Sequence, residues 1–233
     1  LTDWRGKAKR ALVTTDGIFS MRGDHAPLDE IAEVCRAHDE HFEENVVLVV
    51  DDSHGVGAFG ETGRGVEEYT GAPPADLLIG TLGKAFGVNG GYVAADAATI
   101  RFLRESSMMY IYSNPITVGE AAAARRSVEI VDSDEGRRLL DRLRRLTRRF
   151  EEGLGRVGIE TIPGEHPVVP LMIRDTARTK ELVRHLHEHG VLVTGLTYPV
   201  VPRGDEEIRA QVNADHTEAD IDRVLEILDA RAA

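Results

Sequence analysis

The sequence has one cysteine, Cys35, among its 233 residues. No internal disulfide or multi-cysteine metal cluster can therefore form. The usage fits a reducing compartment, and Cys35 is expected in the core. No apolar run approaches the ~20 residues that span a bilayer. The opening stretch Leu-Thr-Asp-Trp-Arg-Gly-Lys has no signal-peptide pattern, so a cytoplasmic location is expected. Basic residues are in the minority, 28 Lys and Arg against 40 Asp and Glu, for a net charge of −12. That field repels nucleic acid and anionic membrane surfaces. Internal repeats and low-complexity tracts are absent. The length suits one or two domains with a real hydrophobic core.

What is present reads first as a βαβ unit. Ala11 to Thr15 predicts a strand. Leu28, Ile31, Val34 and Cys35 recur on one helical face, and Val46 to Val50 is a β-branched run suited to a strand buried on both faces of a parallel sheet. His38 to Asn45 is expected to be an exposed helix end and loop. Leu77 to Thr81 and Gly91 to Ala95 predict further strands. Ala97 to Arg104 predicts a short helix, Tyr110 to Pro115 a polar aromatic loop, and Thr117 to Val131 an Ala-rich helix. Glu135 to Val157 is a long helix with an arginine face expected to be solvated, ended by Gly158. A smaller α/β pattern follows, with strands at 159–162, 168–173, 191–196 and 208–212, a helix at 176–189, and a closing helix from Thr217, capped with Asp220. The expected domains are 1–132 and 133–233.

Ligands of open α/β sheets bind beyond the carboxyl ends of the strands. Asp51 and His54 follow one strand; Thr81 and Lys84 close another, in the turn Gly80-Thr81-Leu82-Gly83-Lys84-Ala85-Phe86-Gly87. Taken alone, Lys84 reads as a solvated turn lysine. A lysine held at such a place can also lose its proton and attack an aldehyde. Gly55-Val56-Gly57-Ala58-Phe59-Gly60 has the letters of a dinucleotide fingerprint but does not open a helix, and Ala85 stands where a phosphate P-loop needs Ser or Thr. His185 and His189 share a helix face without a third ligand in sequence, so no metal is assigned to them. Asp51, Asp52 and His54 leave a metal-hydrolase reading open, although adjacent strand residues point to opposite faces. Pyridoxal phosphate unites Asp51, His54 and Lys84 better. It needs a lysine for its aldehyde, an acidic partner for its pyridine nitrogen, and amides and hydroxyls for its phosphate.

Several motifs then carry a resemblance. Asp16-Gly17-Ile18-Phe19-Ser20-Met21, Val50-Asp51-Asp52-Ser53-His54-Gly55-Val56-Gly57, Gly60-Glu61-Thr62-Gly63-Arg64-Gly65, Gly80-Thr81-Leu82-Gly83-Lys84-Ala85 and Tyr198-Pro199-Val200-Val201-Pro202-Arg203-Gly204 stand in one order over nearly the whole chain. In them the sequence resembles the α-oxoamine synthases, fold type I pyridoxal-phosphate enzymes. The resemblance implies an α/β fold: the remainder of a large domain's mostly parallel sheet, plus a smaller C-terminal α/β domain. It implies Lys84 as Schiff-base lysine and proton-abstracting base, Asp51 on the pyridinium nitrogen and His54 on the phenolic oxygen. Ser20 would lie beside the ring and Thr81 on the phosphate. Ser113 would reach the phosphate bound by the neighbouring subunit of a homodimer, and Arg209 would clamp the substrate carboxylate.

Thr194-Gly195 and Gly90-Gly91-Tyr92 point, within the family, to members that join glycine to acetyl-CoA and release 2-amino-3-oxobutyrate and CoA. Other acyl chains and amino acids are the alternative. Two departures stand out. The connection around Glu40 to Asn45 is about six residues longer than usual, which a loop tolerates. The family's long N-terminal half, with the residue stacked on the ring and much of the CoA site, has no counterpart before Leu1. The expectation is a fragment, a partner of a separate or missing N-terminal segment, or a truncated protein, unable alone to fold stably or turn over substrate. A non-catalytic partner subunit is the competing class, against which the retained Lys84, Asp51, His54 and Arg209 argue.

Overall fold

The apolar runs at Ala11, Val46 and Leu77 form adjacent strands running the same way. The structure, a computed structural model, describes residues 1–232. It divides into two compact units, one made of Leu1–Ile18 and His25–Arg137, the other of Phe19–Asp24 and the residues from Arg138 onward.

In the first unit β1 (Ala11–Asp16), α1 (Leu28–His38), β2 (Val46–Asp51), the short α2 (Val66–Thr70), β3 (Leu77–Thr81) and β4 (Gly91–Ala95) follow one another. The four-stranded sheet has the order β1-β2-β3-β4. β1, β2 and β3 are parallel, with Asp16 opposite Asp51 and Asp51 opposite Ile79, so their carboxyl ends share one edge. β4 turns back antiparallel, Thr81 facing Gly91. Leu28, Ala32 and Cys35 of α1 pack on Val46, Leu48 and Val50 of β2, joined by Ile18, Phe42, Phe59 and Val66. Each such side chain, once fully buried, contributes about 1.5–3 kcal/mol.

Three expectations need correction here. β2 is fully buried on one face only: Val46, Leu48 and Val50 are buried, whereas Val47, Val49 and Asp51 on the other face are partly buried. The helices of this unit cover the first face, so the continuous β-branched run does not report double burial. The stretch 38–45 is not wholly an exposed loop, because Phe42 is 4% exposed. After α3 (Ala97–Ser106), the segment read as an aromatic loop contains a further short helix, α4 (Met108–Tyr112). Ser107 ends α3 with extended backbone, and the chain turns helical again at once. α5 (Val118–Val131) is opened by a capping box in which Thr117 and Glu120 satisfy each other's backbone amides. From α3 to the start of α5, Phe102, Met108, Met109, Tyr110, Ile111, Tyr112 and Val118 are exposed.

The second unit holds most of α6 (Asp134–Arg156), then β5 (Glu160–Thr161), β6 (Val168–Met172), α7 (Thr176–Glu188), β7 (Thr194–Leu196), β8 (Glu207–Gln211) and α8 (Glu218–Ala232). Its sheet has the order β5-β6-β8-β7 and is antiparallel throughout. Leu146, Phe150 and Leu154 of α6 meet Val169, Leu171, Ile208, Leu182, Leu186, Ile221 and Leu225 in one core. The arginine face of α6 is not simply solvated. Arg149 makes a two-pronged pair with Asp222 of α8, both bonds 2.7 Å, and Arg142 donates to the His216 carbonyl at 2.8 Å. No helix among the described residues is long and apolar enough to cross a membrane.

Candidate active site

The chemistry-bearing residues of the first unit gather where β2 and β3 end. Asp51 is the last residue of β2, and the backbone amide of Asp52 continues the ladder by donating to the Ile79 carbonyl at 2.9 Å. The chain then folds into a tight turn: Gly55 and Val56 both donate to the Asp52 carbonyl at 3.0 Å. This turn carries His54, three residues past the strand-end Asp51. The Ser53 amide donates to Asp51 Oδ1 at 3.0 Å, which fixes the carboxylate on its strand end.

β3 supplies the other half. Thr81 closes the strand, and its Oγ1 donates to the Ser53 carbonyl at 3.4 Å. The Lys84 ammonium, one turn later and exposed, donates back to Thr81 Oγ1 at 3.3 Å. A chain of hydrogen bonds thus runs Lys84, Thr81, Ser53, Asp51 across two parallel strands. Of the residues named from sequence, Asp51, His54, Thr81 and Lys84 are brought to one sheet edge. Ser113, in the same unit, follows α4 and is exposed, outside that chain of bonds.

Ser20 and Arg209 belong to the second unit and meet there: Arg209 Nε donates to the Ser20 carbonyl at 2.7 Å. Arg209 sits mid-strand in β8, half-buried. Burial lowers its pKa, and the charge of Glu207 opposes that shift. Glu207, two residues earlier on the strand, is 2% exposed. Burial pushes its carboxyl up to about 7, with Arg22 opposing and Asp205 and Asp24 reinforcing the rise.

Sequence reasoning weighed Asp52 only as a metal ligand, and missed Ser53 and Glu207. Asp52 turns away from Asp51 into the buried side of the sheet and is 1% exposed. Its Oδ2 accepts the Val66 amide at 2.8 Å. Burial raises its carboxyl to about 7, against the pull of the Val66 amide. Tyr92, across from Gly80 in the β3–β4 pair, has its phenol pKa raised by burial and then by the charge of Asp52. The alternation of faces along a strand was the available signal for Asp52. No group of three or more His, Cys, Asp or Glu among the described residues is arranged to hold a metal ion.

The donor set suits pyridoxal phosphate. One lysine amine, one hydroxyl and one carboxylate are hydrogen-bonded in series, Asp51 keeps Oδ2 without a partner among the described residues, and Ser53 Oγ is a buried hydroxyl without one. Residues 2–228 match the family described as aminotransferase class I and II. The chain belongs to that family. It is 40% identical over 226 residues to an 8-amino-7-oxononanoate synthase of Thioalkalivibrio sulfidiphilus, covering 96% of this chain and 56% of the relative. It is 38% identical over 221 residues to the 2-amino-3-ketobutyrate coenzyme A ligase of Escherichia coli K12, covering 94% and 54%. Among solved structures it is similar to a Sphingomonas wittichii serine palmitoyltransferase, with 27% identity and a TM-score of 0.85 over 94% of this chain and 54% of that one. It is also similar to an SPT carrying its PLP as the internal aldimine, with 28% identity and a TM-score of 0.87 over 95% and 54%. The likeness to α-oxoamine synthases, the fold type I architecture and the family's pyridoxal-phosphate cofactor are thereby borne out. The chain spans about half the length of the curated relatives it matches.

Proposed function

We propose that this chain carries the lysine-bearing part of a pyridoxal-phosphate-dependent acyltransferase that joins a small amino acid to an acyl-CoA and releases CoA. The observation that supports this most directly is the hydrogen-bonded series from Lys84 through Thr81 and Ser53 to Asp51. When bound, pyridoxal phosphate supplies a ring that accepts electrons from a broken bond at the amino acid's Cα.

The chain's own residues prepare for that. Lys84 would hold the cofactor at its aldehyde carbon and would serve as the base toward the Cα proton. Asp51 would face the ring nitrogen with Oδ2 and favour its protonated form. His54 would donate to the phenolic oxygen, and Thr81 would hold the phosphate by turning its one hydroxyl hydrogen away from the Ser53 carbonyl. Arg209 holds the amino acid's carboxylate through its Nη atoms, its Nε being committed to Ser20. Ser20 would lie beside the ring, and Ser113 would reach the phosphate held by a second copy in a homodimer. The apolar side chains exposed around it, Met109, Tyr110 and Tyr112 among them, suit that contact.

For the substrates we propose glycine and acetyl-CoA, as in a glycine C-acetyltransferase, giving 2-amino-3-oxobutyrate. Formation of 8-amino-7-oxononanoate is the second reading, since relatives of that name are as similar as the ligase. Borohydride reduction with pyridoxal phosphate, followed by peptide mapping, tests the first step. Label on Lys84 is expected, and its absence favours a non-catalytic partner subunit. CoA thiol release over glycine, alanine and serine with acetyl, succinyl and long acyl groups then tests the substrates. A best pair other than glycine with acetyl-CoA removes the acetyltransferase reading.

A further inference from the structure

Asp52 takes no part in the chemistry above, yet its surroundings are built around its carboxyl. A methyl group placed on Gly17, on Gly55 or on Gly65 would overlap one of its carboxyl oxygens. Gly65 also has left-handed backbone, φ +85°, and is glycine for that reason too. Gly17 and Gly55 do not share this conformation. At both, the three atoms nearest to an added methyl all belong to Asp52. What keeps a side chain off these two positions is therefore the Asp52 carboxyl.

The carboxyl joins three segments. Gly17 follows β1 and donates to the Asp51 carbonyl at 2.8 Å. Gly55 closes the turn that carries His54. Val66, first residue of α2, ends the glycine loop and gives its amide to Asp52 Oδ2. An amide buried at a helix start needs an acceptor, and an apolar residue at position 52 supplies none. Both neighbours that matter chemically, Asp51 and His54, lie within two residues of this post.

Resting on the pyridoxal-phosphate reading, we propose that Asp52 is a positioning residue: its carboxyl packs the ends of β1, β2 and the glycine loop together and so sets where Asp51 and His54 meet the cofactor. An acceptor is what the post requires, so asparagine substitutes for it and alanine does not. A misplacement of about 1 Å at a reacting group lowers turnover by roughly 100-fold.

The test uses the complete protein, with any segment or partner chain that completes it, and with pyridoxal phosphate bound. Asp52→Ala is expected to lower kcat about 100-fold, with KM for acyl-CoA unchanged and the pH titration of the bound cofactor's absorbance displaced. Asp52→Asn restores both. Hydrogen exchange at the Gly55 and Val66 amides rises in Asp52→Ala and stays low in Asp52→Asn. Gly17→Ala, which crowds the carboxyl without removing it, perturbs the same absorbance titration in the wild-type background and is neutral when combined with Asp52→Ala. If Asp52→Ala does not fold, the Gly17→Ala titration decides. An unchanged titration and unchanged exchange in Asp52→Ala, or an unperturbed Gly17→Ala protein, overturns the positioning role alone. Wild-type protein that takes up no pyridoxal phosphate overturns the proposed function and the role that rests on it.

Discussion

Lys84 and Thr81 are joined by a hydrogen bond of 3.3 Å, and the same hydroxyl donates to the Ser53 carbonyl across the β2–β3 pair. One threonine therefore ties the lysine turn to the neighbouring strand end. Thr81→Ala breaks both links, whereas Thr81→Ser keeps the hydroxyl. Hydrogen bonds that involve a charged group contribute about 1.5–3 kcal/mol, so alanine should weaken retention of pyridoxal phosphate roughly ten- to a hundredfold. Serine should stay within a few-fold of wild type. Equilibrium dialysis against the cofactor, followed by absorbance, measures this.

Lys84 itself is expected to be irreplaceable. Positioned proton transfer is worth about 10²–10⁴-fold, and Lys84→Ala removes the covalent attachment as well. Thiol release from CoA should therefore fall by at least about 10³-fold. Lys84→Arg should give no rescue, because a guanidinium does not shed its proton at working pH. Turnover by Lys84→Arg at a tenth of the wild-type rate would show that another residue is the base.

The site also shapes stability against pH. The Asp52 carboxyl is raised from the ordinary value of 3.8 to about 7 in the folded chain, chiefly by burial, with Glu67 and Asp51 adding to the rise. Between those values the folded state holds a proton that the unfolded state has released. Stability from this group is thus greatest below pH 4, falls as pH rises toward 7, and is level above it. Over that window the loss is on the order of 4 kcal/mol. Asp52→Asn has no such proton to lose. The difference in Tm, variant minus wild type, should grow from pH 5 to pH 8, as read by thermal melts. Parallel curves would show that the carboxyl titrates normally.

The parts legible in the sequence are those set by local pattern. The apolar runs at Ala11, Val46 and Leu77 became adjacent strands, and the strand-end positions of Asp51 and Thr81 followed from where those runs stop. The capping pair Thr217 and Asp220 was legible for the same reason, and its mutual bonds are 2.8 and 3.2 Å. What stayed hidden depends on contacts distant in sequence. Phe42 gave no periodic signal because it stands alone after a short turn, and it is buried by packing with α1 and β2. The partly buried face of β2 could not be told from a fully buried one, since valine suits both. Asp52 looked like a spare carboxylate until Gly17, Gly55, Gly65 and Val66 were seen to surround it. The arginine face of α6 likewise needed Asp222, from α8, to show that Arg149 is paired.

Arg209 gives the sharpest test of the carboxylate assignment. Its Nε donates to the Ser20 carbonyl at 2.7 Å, and its Nη atoms make no hydrogen bond among the described residues. The fork is thus oriented by one edge and open at the other, the arrangement that a two-pronged grip on a carboxylate requires. Arg209→Lys keeps the charge but has a single point donor, which cannot hold Ser20 and a carboxylate in that geometry. Loss of a charged hydrogen bond of about 1.5–3 kcal/mol corresponds to a rise in KM for the amino acid of roughly ten- to a hundredfold, with KM for acyl-CoA unchanged. Arg209→Ala should exceed it and also release the Ser20 loop. Steady-state kinetics with the amino acid varied at saturating acyl-CoA separate the two constants. A lysine variant with an unaltered KM for the amino acid would assign the carboxylate to another residue.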